Sequence, residues 1–133
     1  DAGTVLNPEQ LRGQLEGGTA QAIGTALYEE MPYDENGQPL ASTLADYILP
    51  GATEVPNIRI EHFETPSPHT EFGIKGVGEG GAIAPPAAIV NAVNDALLPF
   101  GAEIGEVPAS PAPILRALQN VGLGPGFVAG GAS

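Results

Sequence analysis

The sequence predicts an α+β fold in which helices pack on a small mixed sheet, and three segments support this prediction. Residues 8–31 and 86–98 place apolar side chains at helical spacing. Residues 57–64 begin with alternating apolar and polar side chains, which is the pattern of a half-buried strand. Because a helix stripe and a sheet face must each be covered, the simplest arrangement of these segments has two layers.

The N-terminal helix has a clear start and a clear stop. Asn7 can cap it, Pro8 suits its first position, and Gln10 stands where a capping box has its partner. We expect the helix to end near Met31, because Pro32 cannot continue it. Glycines inside this span, each costing about 1 kcal/mol relative to alanine, are Gly13, Gly17, Gly18 and Gly24. They indicate close packing against another element or a bound group, or a break near residues 17–18.

The middle and end of the chain are richer in turns. Asn36-Gly37 predicts a hairpin turn, and residues 43–48 predict a short helix. A last helix begins at Ser110-Pro111 and is expected to end near Gly122. We therefore assign residues 1–123 to one folded segment and residues 124–133 to a flexible glycine-rich tail.

Composition excludes several classes of function. The net charge is −12, with only four Lys and Arg, so nucleic acid and anionic membrane surfaces are not expected partners. No apolar run approaches the ~20 residues of a membrane span. The chain has no cysteine, which excludes disulfides, thiolate metal sites and iron–sulfur ligation on its residues. Its two histidines cannot form a closed metal site alone, so no metal ligand is predicted.

The glycine-rich stretch 73–81 carries one carboxylate, Glu79. Glycines let a bound group approach the backbone closely, and an acid held in such a loop is a candidate general base. The alternative is a solvated acid at a loop tip. Lys75 precedes it by four residues and is by default a surface lysine. Gln21, among the glycines of the first helix, is predicted to be buried, where it either bonds within the protein or contacts a polar ligand.

Seven segments, in order, resemble the C-terminal part of the large molybdenum-binding subunit of the xanthine oxidase family. That family includes aldehyde oxidoreductases and aerobic carbon monoxide dehydrogenases. The resemblance covers residues 1–118 and rests on Asp1-Ala2-Gly3-Thr4-Val5-Leu6-Asn7-Pro8, Glu16-Gly17-Gly18-Thr19-Ala20-Gln21-Ala22-Ile23-Gly24, Tyr33-Asp34-Glu35, Thr43-Leu44-Ala45-Asp46-Tyr47, Pro66-Ser67-Pro68, Gly73-Ile74-Lys75-Gly76-Val77-Gly78-Glu79, and Pro86-Ala87-Ala88-Ile89-Val90-Asn91-Ala92-Val93 with Asp95-Ala96-Leu97.

The resemblance implies an activity and a site. Glu79 would take a proton from a molybdenum-bound hydroxide that attacks a small substrate, which is an aldehyde, an N-heterocycle or carbon monoxide. The cofactor would be molybdopterin with molybdenum, in the cytosine dinucleotide form. Residues expected to hold it are Gln21, Lys75, Gly76, Val77, Gly78 and Gly80. Iron–sulfur clusters and FAD are expected on other chains or domains, and the location is expected to be cytoplasmic.

The sequence departs from the family pattern in ways that bear on substrate class. Ala22 stands where glycine often follows the glutamine, and Glu71-Phe72 stand where Pro-Leu is frequent. The family's subunit is also several times longer, so this chain is expected to be a fragment of a larger molybdopterin-binding domain, joined to the remainder and to iron–sulfur and flavin subunits. Alone it is expected to be inactive.

Two other functions are considered. A non-catalytic scaffold or assembly domain would bind a cofactor or partner subunit only, but it would not need the acid at Glu79. A free-standing anion-binding module could use the loop amides, but the strong negative charge argues against it.

We expect the 133-residue chain to self-associate on its own, because a piece of a larger domain exposes apolar surface that the remainder covers. Analytical ultracentrifugation should show species larger than a monomer, together with binding of an apolar dye. A compact monomer that binds no dye would contradict this expectation.

Overall fold

The computed structural model describes residues 1–123, and these contain four α-helices. The helices are α1 (Pro8–Leu27), α2 (Gly80–Ile83), α3 (Pro85–Leu97) and α4 (Pro111–Asn120). Single 3₁₀ turns lie at Glu71–Gly73 and Leu98–Phe100. The predicted tail, residues 124–133, lies outside the described residues.

Helix α1 begins where the sequence predicts but ends earlier than predicted. The Asn7 side chain accepts a hydrogen bond from the Gln10 amide at 3.0 Å, which confirms the predicted cap. The helix ends at Leu27 rather than near Met31. The amides of Tyr28 and Glu29 both donate to the Gly24 carbonyl, so the chain turns away one turn before Pro32. No break occurs at residues 17–18, and α1 is continuous.

The close approach of α1 and α2 explains one pair of glycines. A Cβ on Gly81 would lie 2.6 Å from the Leu15 carbonyl oxygen, and a Cβ on Gly18 would lie 3.0 Å from the Gly81 backbone. Side chains at these positions would therefore separate the two backbones. The predicted packing of a glycine face against another element is confirmed here.

The main apolar core lies at the other end of the chain. It joins α3, the loop that follows it and α4, with Leu97, Ala102, Ile104, Ala109 and Ala117 buried together. The Asn94 side chain holds that loop by two 2.9 Å hydrogen bonds, one to each backbone group of Ile104. The Ala109 amide donates to the Ala26 carbonyl and ties the loop to α1.

The predicted mixed sheet is not found in residues 1–123. Backbone pairing there outside the helices is limited to two isolated antiparallel bridges, Gly3 with Ile74 and Tyr33 with Pro39. The second bridge closes the predicted turn at residues 36–37. Residues 57–64 form no ladder, since no described strand exchanges backbone hydrogen bonds with them. The segment that lies beside residues 57–60 is helix α1, whose backbone groups are bonded within the helix. Residues 43–48 form a turn instead of the predicted helix.

One stretch meets the length and composition of a membrane span, contrary to the sequence prediction. Gly80–Phe100 has 21 residues and a mean hydropathy of 1.2. It is not one regular helix, because α2 ends at Ile83 and α3 begins at Pro85. Both α2 and α3 pack on α1. Only 11% of the stretch is buried within residues 1–123, and a single stretch of this kind is weak evidence for a span.

The Gly81→Ala substitution should destabilise the chain by about 1–3 kcal/mol, because the new methyl group meets backbone that cannot move aside. Gly13→Ala is the matched control: that position is helical and open, so alanine should stabilise the chain by about 0.5–1 kcal/mol. Urea unfolding followed by circular dichroism measures both changes. Equal effects of the two substitutions would show that the contact between α1 and α2 does not hold the loop in place.

Candidate functional site

Glu79 occupies the N-cap position of α2, immediately before Gly80. Its backbone carbonyl accepts the Ala82 amide at 2.9 Å, but its side chain makes no capping hydrogen bond and is exposed. The carboxylate is therefore not used to stabilise α2. It is free to meet a proton donor brought to the same surface, which is the first requirement of a general base.

The backbone on both sides of Glu79 is anchored to α1 by two polar contacts. Gln14 Nε2 donates to the Gly78 carbonyl at 2.7 Å, and Thr19 Oγ1 donates to the Gly81 carbonyl at 3.4 Å. These contacts lie on either side of the close approach between Gly18 and Gly81. They fix the position of Glu79 relative to α1.

Gly76 and Gly78 are not required by the described fold. Neither has a positive φ, and a Cβ at either position would meet nothing within 4 Å. Unlike Gly81, they leave open space over the backbone between Lys75 and Glu79. A loop of this kind can be approached closely by a bound group, with its amides as hydrogen-bond donors.

The amine of Lys75 is already engaged. It donates to Asp1 Oδ2 at 2.5 Å and to Thr65 Oγ1 at 2.7 Å, while its backbone amide donates to the Ala2 carbonyl. Arg12, Arg59 and Arg116 likewise each pair with a nearby glutamate. All four Lys and Arg of the chain are thus paired with carboxylates, so an anion at this loop would be held chiefly by backbone N–H groups.

Gln21 is exposed, so the prediction that it is buried is wrong. It lies seven residues after Gln14, and a helix brings positions separated by seven onto one face, about 10 Å apart along the axis. Between them lies Gly17, where a Cβ would again meet nothing within 4 Å. The structure therefore places Gln21 and the Glu79 loop along one side of α1, with an open glycine surface between them.

The side-chain amide of Gln21 is held by a hydrogen bond to Glu29. Its Nε2 donates to Glu29 Oε1 at 3.3 Å, and the Tyr47 hydroxyl donates to Glu29 Oε2 at 2.5 Å. The hydrogen bond to Glu29 raises the pKa of the Tyr47 phenol above its ordinary value of 10.0, because the bond favours the protonated form. Sequence reasoning missed Glu29 and Gln14, although the seven-residue spacing of the two glutamines was visible.

A second feature beside the loop is a groove of about 330 Å³. It lies between the N-terminal segment, the first turns of α1 and residues 74–78, and Leu11, Val77 and Gly78 contribute to its wall. Within residues 1–123, no group of three His, Asp or Glu side chains could hold a metal ion.

Glu29→Gln should lower the pKa of Tyr47 toward its ordinary value, because the neutral amide is a weaker acceptor than the carboxylate. The hydrogen bond stabilises the fold fully below the ordinary tyrosine pKa, and this contribution is lost as pH rises through the raised pKa. Ultraviolet titration of the three tyrosines measures the change, and Tyr47→Phe identifies the curve that belongs to Tyr47. An unchanged titration in Glu29→Gln would exclude the contact.

The comparisons with known proteins agree with one another. The family model of the molybdopterin cofactor-binding domain matches residues 1–56. The large subunit of nicotine 6-hydroxylase from Paenarthrobacter nicotinovorans is 44% identical over 121 residues, which are 91% of this chain and 15% of that protein. The carbon monoxide dehydrogenase large chain of Afipia carboxidovorans is 42% identical over 96 residues, which are 72% of this chain and 12% of that protein.

A solved structure also matches. The crystal structure of quinoline 2-oxidoreductase from Pseudomonas putida 86 superposes with a TM-score of 0.87 and 51% identity, over 90% of this chain and 15% of that one. The chain thus spans only about 15% of the length of these relatives. Both the sequence and the fold show that this chain belongs to the family of molybdenum-binding large subunits that includes the xanthine and carbon monoxide dehydrogenases.

Proposed function

We propose that this chain supplies the general base of a molybdenum hydroxylase or dehydrogenase, and that the base is Glu79. The observation that carries the proposal is the carboxylate's placement: it is exposed at the N-cap of α2, makes no capping hydrogen bond, and is held beside an open glycine surface. The substrate is a small aldehyde, an N-heterocycle or carbon monoxide, oxidised with oxygen derived from water.

The residues present fit a molybdopterin cofactor. Open backbone at Gly76 and Gly78, with the amide of Val77 between them, offers hydrogen-bond donors to an anionic group. The Gly80 amide already donates to the Val77 carbonyl at 3.2 Å, so we propose that Gly80 shapes the loop beside the cofactor. Gln21 offers an amide from the far end of the same surface. Lys75 holds the loop against Asp1, and in this proposal it supports the site rather than reaching the cofactor with its amine. We propose the cytosine dinucleotide form of the cofactor.

When bound, the molybdenum cofactor accepts the two electrons of the oxidation. The protein's part is proton transfer and position. Glu79 accepts the proton of the attacking water-derived hydroxyl group, which becomes a better nucleophile as the proton leaves. The Gln14 bond and the contact between Gly18 and Gly81 hold the backbone on either side of Glu79, so only the side chain of Glu79 remains to be ordered when the substrate arrives.

The rest of the enzyme is part of the proposal. The chain is about 15% of the length of its relatives, so we propose that the remainder of the molybdenum subunit walls the substrate pocket and that the chain is inactive alone. We also propose that iron–sulfur and flavin subunits receive the electrons, in the cytoplasm. Residues 57–64, which have no ladder partner within the described chain, are proposed to complete a mixed sheet with that remainder.

Glu79→Gln in the complete enzyme should slow substrate-dependent reduction of molybdenum by at least about 10²-fold, the usual contribution of a positioned general base. The measurement is single-turnover reduction with a panel of aldehydes, N-heterocycles and carbon monoxide. Glu103→Gln is the matched control, because Glu103 is an exposed acid in the loop that follows α3, outside the glycine-rich stretch.

Molybdenum and pterin content must be normal in both variants. Reduction that persists in Glu79→Gln at normal cofactor content would show that the loop only holds the cofactor. In that case the chain would act as a scaffold, without a catalytic acid.

A further inference from the structure

We propose that Glu29 is a positioning residue that orients the Gln21 amide toward the open glycine surface. The inference rests on the proposed function in one respect: it takes Gln21 as a cofactor contact. The new part of the inference is the pair of side chains that orient Gln21. Glu29 accepts a hydrogen bond from the Gln21 amide, and Tyr47 donates one to Glu29.

The chemistry of the carboxylate fixes which way the amide faces. A carboxylate only accepts hydrogen bonds, so the Gln21 group that meets Glu29 Oε1 must be the NH₂. The Gln21 carbonyl oxygen must then point away from Glu29, and one N–H remains unused by this bond. Without Glu29, the two ends of the amide would be nearly equivalent and could exchange by rotation about χ3.

Glu29 is itself held on two sides. The Tyr47 hydroxyl donates to its second oxygen, and the backbone amide of Glu29 donates a 2.8 Å hydrogen bond to the Gly24 carbonyl. Each carboxylate oxygen therefore has a defined partner. A side chain restrained in this way can restrain the next one in turn.

Gly24 shows that this arrangement needs space on α1. A Cβ at Gly24 would lie 2.1 Å from Glu29 Oε1 and 3.1 Å from Pro50 Cδ. The carboxylate therefore lies directly over the helix backbone one turn after Gln21. Any larger residue at Gly24 would displace Glu29 from Gln21. This gives a structural reason for the glycine that ends the glycine-rich face of α1.

The ligand that this arrangement suits has a polar edge. The oriented amide presents an acceptor oxygen and one N–H donor to the surface above Gly17, where there is room for a bound group. The pterin ring of the cofactor has complementary hydrogen-bond donors and acceptors. The expected effect of Glu29 is therefore on cofactor retention and not on proton transfer.

The experiment uses the assembled holoenzyme and measures loss of molybdenum and pterin during incubation in dilute urea followed by gel filtration. Gln21→Ala and Glu29→Gln should each raise the rate of loss by about tenfold, the lower end of the range for second-layer partners. Glu30→Gln is the matched control: it removes the same charge one residue away, from an exposed side chain, and should leave the rate unchanged.

The double variant separates positioning from a general structural role. If Glu29 acts through Gln21, Glu29→Gln should add no further loss in the Gln21→Ala background. Additive losses, or an unchanged rate in Glu29→Gln alone, would overturn the inference and leave Gln21 as an independent contact. An unchanged rate in Gln21→Ala would overturn the Gln21 contact and the inference together. Glu79 is judged separately, by molybdenum reduction at full cofactor content.

Discussion

The contact between Gly18 of α1 and Gly81 of α2 is the constraint on which the candidate site depends. Two residues without side chains let the helix backbones meet at van der Waals distance, and a methyl group on either would force them apart. Glu79 lies two residues before Gly81, so this contact sets the distance of the Glu79 backbone from α1. The bonds from Gln14 and Thr19 then fix the loop on both sides of the contact.

An acidic chain can contribute to a site for an anionic cofactor through its backbone amides. With 16 acids against four bases, and every base paired with a carboxylate, no cationic side chain is left for the task. Backbone amides carry partial positive charge without changing the net charge. The open glycines at positions 76 and 78 make those amides accessible, and this is a role that the fold itself does not require of them.

The exposed apolar surface of the chain supports the proposal that it is part of a larger subunit. Large side chains such as Phe63, at 84% exposure, and Ile83, at 74%, lie on the surface of residues 1–123. An open groove of about 660 Å³ lies between α1, α3 and residues 54–58, with Ile23, Pro56 and Ile89 among its walls. Contiguous apolar surface of this kind usually marks an interface. The relatives, of which the chain spans about 15%, have ample sequence to cover it.

The strand predicted at residues 57–64 does not form within the described residues. Their alternating pattern is a local property, but a strand also needs a neighbour to take its backbone hydrogen bonds, and no described segment provides one. The predicted end of α1, near Met31, was wrong for a related reason. Pro32 shows from the sequence where the helix must have ended at the latest. The earlier end arises in the folded chain, where the amides of Tyr28 and Glu29 both donate to the Gly24 carbonyl.

By itself the sequence determined the features that depend on neighbouring residues. These are the Asn7 cap, the helix predicted at residues 86–98 and found at Pro85–Leu97, the hairpin turn at residues 36–37, and the ordered segments that resemble the molybdenum-binding subunits. Tertiary structure alone decided that Gly81 is a packing glycine while Gly78 is an open one, and that Gln21 is exposed and held by Glu29. The physical reason is that helix propensity and capping act over a few residues. Burial and hydrogen-bond partners, by contrast, depend on atoms that may be 60 residues away, as with Gln14 and Gly78 at a separation of 64.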